Sequence, residues 1–181
     1  MQRLIATSAV IAAVIAAALA PSAASAQGAY VGVGVGPAVR IDDWPTQIRV
    51  EQEIGFFVNR SPRGFYIAFA PSQSWGDDFW ILVFPVRLGG IFDLFRGRDV
   101  AFQIGGTGTL GFGLSNAFNV RRDPDPWFHL SFGLILRVLF ANERVGVYLR
   151  PVDFEFAIGD SPWYGREAIR YVLAGGFQFF F

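Results

Sequence analysis

From Tyr30 to the end of the chain, apolar and polar residues alternate one by one over long runs. Between Gln47 and Val58, Ile48, Val50, Ile54, Phe56 and Val58 share a face with Gln52. The opposite face carries Gln47, Arg49, Glu51, Glu53, Gly55 and Phe57. From Val100 to Ser115, Phe102, Ile104, Gly106, Gly108, Leu110, Phe112 and Leu114 oppose Gln103, Gly105, Thr107, Thr109, Gly111, Gly113 and Ser115. From Trp127 to Phe140, Phe128, Leu130, Phe132, Leu134, Leu136, Val138 and Phe140 oppose Trp127, His129, Ser131, Gly133, Ile135 and Arg137. A period of two marks a strand with unlike faces. A half-buried soluble strand shares that period, so length carries more weight. Each of these runs exceeds about ten residues, the length that a tilted strand needs to cross a bilayer core.

The pattern predicts eight strands: Tyr30–Val39, Thr46–Val58, Gly64–Ala70, Phe79–Leu88, Val100–Ser115, Trp127–Phe140, Arg144–Ile158 and Ala168–Phe181. The seventh changes parity near Pro151, where Val145, Val147 and Leu149 give way to Val152, Phe154 and Phe156 as the apolar set. A bulge there is expected, because proline donates no ladder hydrogen bond. The last strand sets Tyr171, Leu173, Gly175, Phe177, Phe179 and Phe181 against Arg170, Val172, Ala174, Gly176 and Gln178, with Phe180 as the apolar exception. If Phe181 ends in the periplasm, the outer connections contain Arg40–Pro45, Pro71–Asp78, Asn116–Pro126 and Gly159–Glu167. The periplasmic ones contain Asn59–Arg63, Gly89–Asp99 and Ala141–Glu143. An even number of strands with both ends on one side is the parity of bacterial membrane barrels.

The amino terminus points to export. Arg3 precedes an uncharged, Ala-rich run from Leu4 to Ala20, Pro21 breaks it, and Ala24-Ser25-Ala26 offers a small-x-small cleavage site. Residues 1–26 are therefore expected to be a signal peptide, leaving 27–181 as one barrel domain. The chain has no cysteine, so export brings no disulfides. Twenty Phe, five Trp and five Tyr are more aromatic surface than a soluble barrel of this size hides. The nearest approach to a spanning helix, Ala101 to Val120, is rich in glycine and alternates. A closed barrel is the remaining way to satisfy the backbone in lipid.

Tryptophan and charge separate the two ends. Trp44, Trp75, Trp127 and Trp163 lie in or beside different outer connections, and Trp80 begins the strand after the second. An indole suits the headgroup boundary, with its ring in lipid and its N–H in water, so these five are candidate membrane-interface aromatics. The outer connections hold Asp42, Asp43, Asp77, Asp78, Asp123, Asp125, Asp160 and Glu167 against Arg40, Arg121, Arg122 and Arg166, which is 4 − 8 = −4. The periplasmic turns with their strand edges hold Arg60, Arg63, Arg96, Arg98 and Arg144 against Asp93, Asp99 and Glu143, which is 5 − 3 = +2.

The Gly-alternating first strand, Tyr30-Val31-Gly32-Val33-Gly34-Val35-Gly36, and the closing Gly175-x-Phe177-x-Phe179-x-Phe181 carry a resemblance. With the signal peptide, they make the chain resemble the small eight-stranded outer-membrane barrels, such as the membrane domain of outer membrane protein A and the outer membrane protein X-like class. That resemblance implies an all-β, antiparallel up-and-down transmembrane barrel in the outer membrane of a Gram-negative bacterium. It also implies outer-membrane lipid and lipopolysaccharide as surroundings, and insertion by the outer-membrane assembly machinery reading Gly175, Phe177, Phe179 and Phe181.

Inward charge is the next feature. Arg49, Glu51, Glu53, Arg137, Asp153, Glu155 and Arg170 are expected to face the lumen, with Glu155 brought to Arg170 by the last hairpin. Charges in a narrow, low-dielectric barrel persist when paired, so a salt-bridge network filling the lumen is expected. His129 and Ser131 share that inner face. With a following acid they resemble the catalytic set of outer-membrane lipid A deacylases, also eight-stranded. The first acid along the chain, Glu143, fails on geometry, since fourteen residues of strand span about 45 Å. Phe132 also stands where that family has Asn. Glu155 or Asp153, on the neighbouring strand, is the acid that folding brings near.

A single histidine and no cysteine exclude the usual transition-metal ligand sets, and no cofactor motif is present. Gly105-Gly106-Thr107-Gly108 lies within an alternating strand and does not form a phosphate loop. A net charge of +0 argues against nucleic acid. The leading expectation is a structural outer-membrane barrel with a packed lumen. The other two are a lipid-modifying hydrolase using His129, Ser131 and Glu155, and a soluble lipocalin-like barrel binding an apolar ligand.

Overall fold

The structure is a computed structural model that describes residues 28–40, 46–76, 79–117, 125–161 and 165–181. The expected signal peptide, Trp44, Trp163 and, of the acidic outer residues, Asp42, Asp43, Asp77, Asp78 and Asp123 lie outside these residues. Among the described residues every regular element is a strand: β1 Ala29–Arg40, β2 Gln47–Phe57, β3 Gly64–Phe69, β4 Ser72–Trp75, β5 Phe79–Arg96, β6 Ala101–Ala117, β7 Asp125–Phe140, β8 Val145–Ser161, β9 Gly165–Val172 and β10 Ala174–Phe180. Each pairs antiparallel with its neighbours. β3 and β4 run as one pass between β2 and β5, and β9 and β10 as one pass between β8 and β1. The ten segments are thus eight passes, and the pairing of β1 with both β2 and β10 closes the ring. Closure leaves no free edge, which is what a sheet requires where no water can satisfy its backbone.

Several strands run longer than the alternation predicts: the expected connection Gly159–Glu167 is strand up to Ser161 and again from Gly165, and the two largest differences lie earlier in the chain. The third expected strand stops at Ala70, yet the chain resumes pairing at Ser72 and continues to Trp75, opposite both β2 and β5. Pro71 lacks an N–H, but its carbonyl accepts from Gln52 N at 2.9 Å, so the pass is interrupted without being lost. The fourth strand continues through Gly89 and Gly90 to Arg96, and the expected connection Gly89–Asp99 shrinks to residues 97–100. These glycines read as turn residues in sequence; in the barrel, the Tyr66 ring occupies the space a Gly89 side chain would need. The expected irregularity at Pro151 is present: Leu134 pairs Val152 while Leu136 pairs Leu149, so Arg150 and Pro151 stand opposite Ile135 alone.

The glycines of the first strand have a similar role. A side chain at Gly34 would overlap the Tyr148 hydroxyl, and one at Gly36 would overlap the Leu173 carbonyl. The inner face of β1 is thus a shallow wall that leaves room for the Tyr148 ring, which reaches over Gly176 from β8, two strands away.

Burial is inverted relative to a soluble domain. Phe65, Val86, Leu110, Phe112, Phe128, Phe132, Leu134, Phe154 and Phe177 point outward and are exposed, whereas Arg49, Glu51, Glu53, Arg87, Arg150, Asp153 and Arg170 point inward and are buried. The interior is filled in three layers, as eight strands leave space for side chains and little else. At the end holding Gly28 and Phe181, Tyr30, Phe57, Tyr66 and Phe180 pack as an aromatic floor with centroids 5.3 to 6.2 Å apart. Phe180, the apolar exception of its face, is simply part of that floor. The middle layer is ionic. Phe79, Ile81, Val83, Trp127 and Ala157 form an apolar cluster toward the opposite end.

Candidate functional site

The ionic layer follows from register. Adjacent strands pair Arg87 with Thr109, Thr109 with Ser131, Ser131 with Glu155 and Glu155 with Arg170, so one row of the sheet carries all five inward side chains. Glu51 sits on β2 and takes Arg87 with both oxygens, at 2.8 and 2.9 Å, and Arg150 at 2.7 Å. Arg49 lies 3.5 Å from the same carboxylate. Glu53 accepts from Arg87 at 2.5 Å and from the Tyr30 hydroxyl. Glu155 is shared by Arg49 and Arg170, the latter at 2.6 Å, and Arg150 reaches Asp153 at 2.9 Å.

The result is a continuous chain of alternating charge, from Arg170 through Glu155, Arg49, Glu51 and Arg87 to Glu53. Bidentate, buried geometry of this kind is the condition under which ion pairs offset their desolvation. The alternation pattern does not assign Arg87 or Arg150 to the lumen. Arg87 ends a stretch apolar on both faces, and Arg150 sits at the bulge where parity changes. The available signal was charge itself, since an arginine inside a spanning strand has nowhere favourable to point but inward.

Arg137 stands apart from this chain. It donates to Gln103 Oε1 at 2.8 Å, to Gln178 Oε1 at 3.0 Å and to the Pro62 carbonyl, and it lies 4.9 Å from the Phe180 ring centroid and 5.2 Å from that of Phe57. Its charge is held by carbonyl dipoles and aromatic faces rather than by a carboxylate. The turn bearing Pro62 is thereby drawn across the mouth of the barrel, where Gln103 also donates to Pro62 O at 3.1 Å.

His129 and Ser131 lie on the inner face, 0% and 1% exposed. They do not bond to each other: Thr109 Oγ1 stands between them, 2.9 Å from His129 Nε2 and 2.7 Å from Ser131 Oγ. Glu155 is opposite Ser131 in register, but its oxygens face Arg49 and Arg170. Glu143 lies in the turn between β7 and β8, paired with Arg96. A nucleophile needs direct contact with its base, and the base with an orienting acid; this set has neither. Among the described residues, no group of three or more His, Cys, Asp or Glu is arranged to hold a metal ion.

Of the five tryptophans, Trp75 and Trp80 are half-buried cross-strand partners on the outer face. Trp127 corrects the expectation of an interface position: it is 4% exposed and turned into the lumen. Its ring lies over Gly113, where any side chain would overlap it, 5.8 Å from the His129 ring and 5.8 Å from Arg170 Cζ. Its parity with His129 and Arg137 outweighs its nearness to a turn. Phe177, Phe179 and Phe181 point outward and are exposed on the closing strand.

No protein-family model matches the chain, and no curated protein does. Among solved structures, Neisserial surface protein A superposes with a TM-score of 0.58 at 10% identity, covering 84% of this chain and 96% of that chain. The fold is that of a small eight-stranded outer-membrane β-barrel. Ail of Yersinia pestis, an outer membrane protein, aligns at 14% identity over 84% of this chain and 100% of that chain, with a TM-score of 0.40; the assignment of fold rests on the former. In an outer-membrane barrel, the inverted burial has a direct cause, because the outer wall faces hydrocarbon and the polar groups retreat inward.

Proposed function

We propose that this chain is a structural barrel of the bacterial outer membrane with a closed, non-conducting lumen, its outer rim contacting lipopolysaccharide or a protein partner. The observation that carries this reading is the apolar outer wall around a lumen packed with paired charges. On this reading the signal peptide is removed near Ala26, and the exposed face of Gly175, Phe177, Phe179 and Phe181 is what the assembly machinery reads. The outward tryptophans Trp75 and Trp80 mark the headgroup level at the end away from Phe181.

Membrane fractionation with boiled and unboiled gel samples tests the reading. The expected result is a membrane-associated band whose mobility shifts on boiling; a soluble band that never shifts would sink it. In planar bilayers the folded protein is expected to show no steady single-channel current. Sustained ion current through the barrel would refute the closed lumen.

The hydrolase reading needs lipid to reach Ser131, and both His129 and Ser131 are sealed inside the wall. Ser131→Ala removes one neutral hydrogen bond, to Thr109, and is expected to cost about 1 kcal/mol of stability. The lipid A mass spectrum of cells carrying that variant should match the wild type. A change confined to the variant would revive catalysis. The lipocalin-like reading asks for polar side chains outside and an apolar cavity within, which Phe128, Phe132 and Leu136 on the outside oppose.

A further inference from the structure

At the end of the barrel that carries Gly28 and Phe181, three connections leave the wall: residues 58–63, 97–100 and 141–144. Backbone bonds close these turns or tie them to the neighbouring strands. Arg60 N donates to Phe57 O at 3.2 Å, Gly97 N to Val100 O at 2.8 Å, and Phe180 N to Arg144 O at 2.9 Å.

Two of the carboxylates here are engaged. Asp93 accepts from Arg96 at 2.9 and 3.1 Å, from Gln103 at 2.8 Å and from Arg63 at 3.4 Å, and Glu143 pairs with Arg96. Arg60, Arg98 and Arg144, one in each connection, remain exposed without a carboxylate partner among the described residues. Asp99 and the Phe181 carboxylate are the acidic groups left beside them.

Each of the three sits at the edge of the apolar wall. Val58, 65% exposed, lies two residues before Arg60, and Phe95, 59% exposed, three before Arg98. Arg144 borders the closing strand, where Phe179 pairs with Val145 and both Phe179 and Phe181 face outward. Arginine at such a boundary buries its stem against lipid and extends its planar fork at headgroup depth, where it matches a phosphate with two hydrogen bonds.

We propose that Arg60, Arg98 and Arg144 form a belt that binds the phosphates of anionic phospholipids in the leaflet at this end of the barrel. The proposal rests on the membrane-barrel reading and adds a lipid preference to it. A basic side chain near an anionic surface favours that lipid by about fivefold, so replacing an uncharged-lipid neighbour by an anionic one is favoured at each of three places around the rim.

The test refolds the protein into phosphatidylcholine vesicles containing spin-labelled phosphatidylglycerol or spin-labelled phosphatidylcholine. Electron spin resonance then gives the fraction of each label held at the protein surface. The expected result is a clear preference for phosphatidylglycerol that 1 M salt abolishes by screening. The triple variant Arg60→Gln/Arg98→Gln/Arg144→Gln should bring the two labels to near equality. Boiled and unboiled gel mobility, run on every sample, reports folding and insertion separately. A wild-type protein that never inserts defeats the membrane reading itself. An inserted barrel holding both labels equally, or a triple variant that keeps the full preference, overturns the belt alone.

Discussion

Glu51→Gln is expected to lower the unfolding free energy by about 3–5 kcal/mol, the largest effect of any conservative substitution in the lumen. Glu51 bonds Arg87 through both oxygens, takes Arg150 at 2.7 Å and lies 3.5 Å from Arg49. One carboxylate thus answers three guanidiniums that have no water to turn to. The substitution keeps the shape and leaves those cations facing one another. Urea unfolding of the barrel in bilayers, followed by tryptophan fluorescence, measures the loss. Glu143→Gln is the matched control. Glu143 pairs with Arg96 on the rim, with both side chains about one-third exposed, and such pairs contribute about 0–1 kcal/mol. Equal, small losses in both variants would show that the lumen network does not stabilise the fold. Replacing Glu51 and Arg87 together by uncharged residues should recover part of the loss, because the penalty comes from the unpaired partner rather than from the missing attraction.

Phe132→Arg is expected to cost about 2–4 kcal/mol when the barrel is folded in a bilayer. Phe132 lies near the middle of β7, points outward and is 55% exposed. In water, an exposed Phe→Arg exchange on a strand is nearly neutral and aids solubility. Against hydrocarbon, it forces a charge into the bilayer or a long reach to its surface. The same measurement therefore separates the membrane barrel from a soluble one. A change within about 0.5 kcal/mol would mean that water, not lipid, lies outside β7. The neighbouring row sharpens the contrast, since Ser131→Ala faces inward and removes a single hydrogen bond.

Much of the architecture is legible in the residues because a strand has only two faces. Ile48, Val50, Ile54 and Phe56 must go one way if Arg49, Glu51 and Glu53 go the other, and one wrong step of register would put every charge into lipid. The expected pairing of Glu155 with Arg170 needs no more than that parity and a hairpin. The strand ends are less legible. Gly89-Gly90 and Pro71 have the composition of turns, and only neighbours distant in sequence, the Tyr66 ring over Gly89 and the Gln52 N–H on the Pro71 carbonyl, keep them in the wall. Trp127 shows two local signals in conflict. Its place beside a proline turn suggests a headgroup anchor, while its parity with His129 and Arg137 puts it inside, and the empty space over Gly113 favours parity.

The candidate site divides along the same line. That Arg49, Glu51, Glu53, Arg137, Asp153, Glu155 and Arg170 share the interior is a property of each strand by itself. Which cation meets which anion is not, because the pairs Arg49–Glu155, Arg87–Glu51 and Arg150–Glu51 join residues 106, 36 and 99 positions apart. Those distances depend on the stagger of strands around a closed ring, which no single strand encodes. The histidine and serine that suggest a hydrolase are adjacent in pattern. Only the assembled barrel interposes Thr109 from β6 and turns Glu155 toward Arg49 of β2 and Arg170 of β9. The sequence by itself determined the strand count, the two faces, the direction of every pass and the apolar exterior, all consequences of a period of two. Only the tertiary structure decided the partners within the lumen, the place of Arg87, Arg150 and Trp127, and that Arg60, Arg98 and Arg144 have no carboxylate partner among the described residues, because pairing in a barrel is set by closure and not by local order.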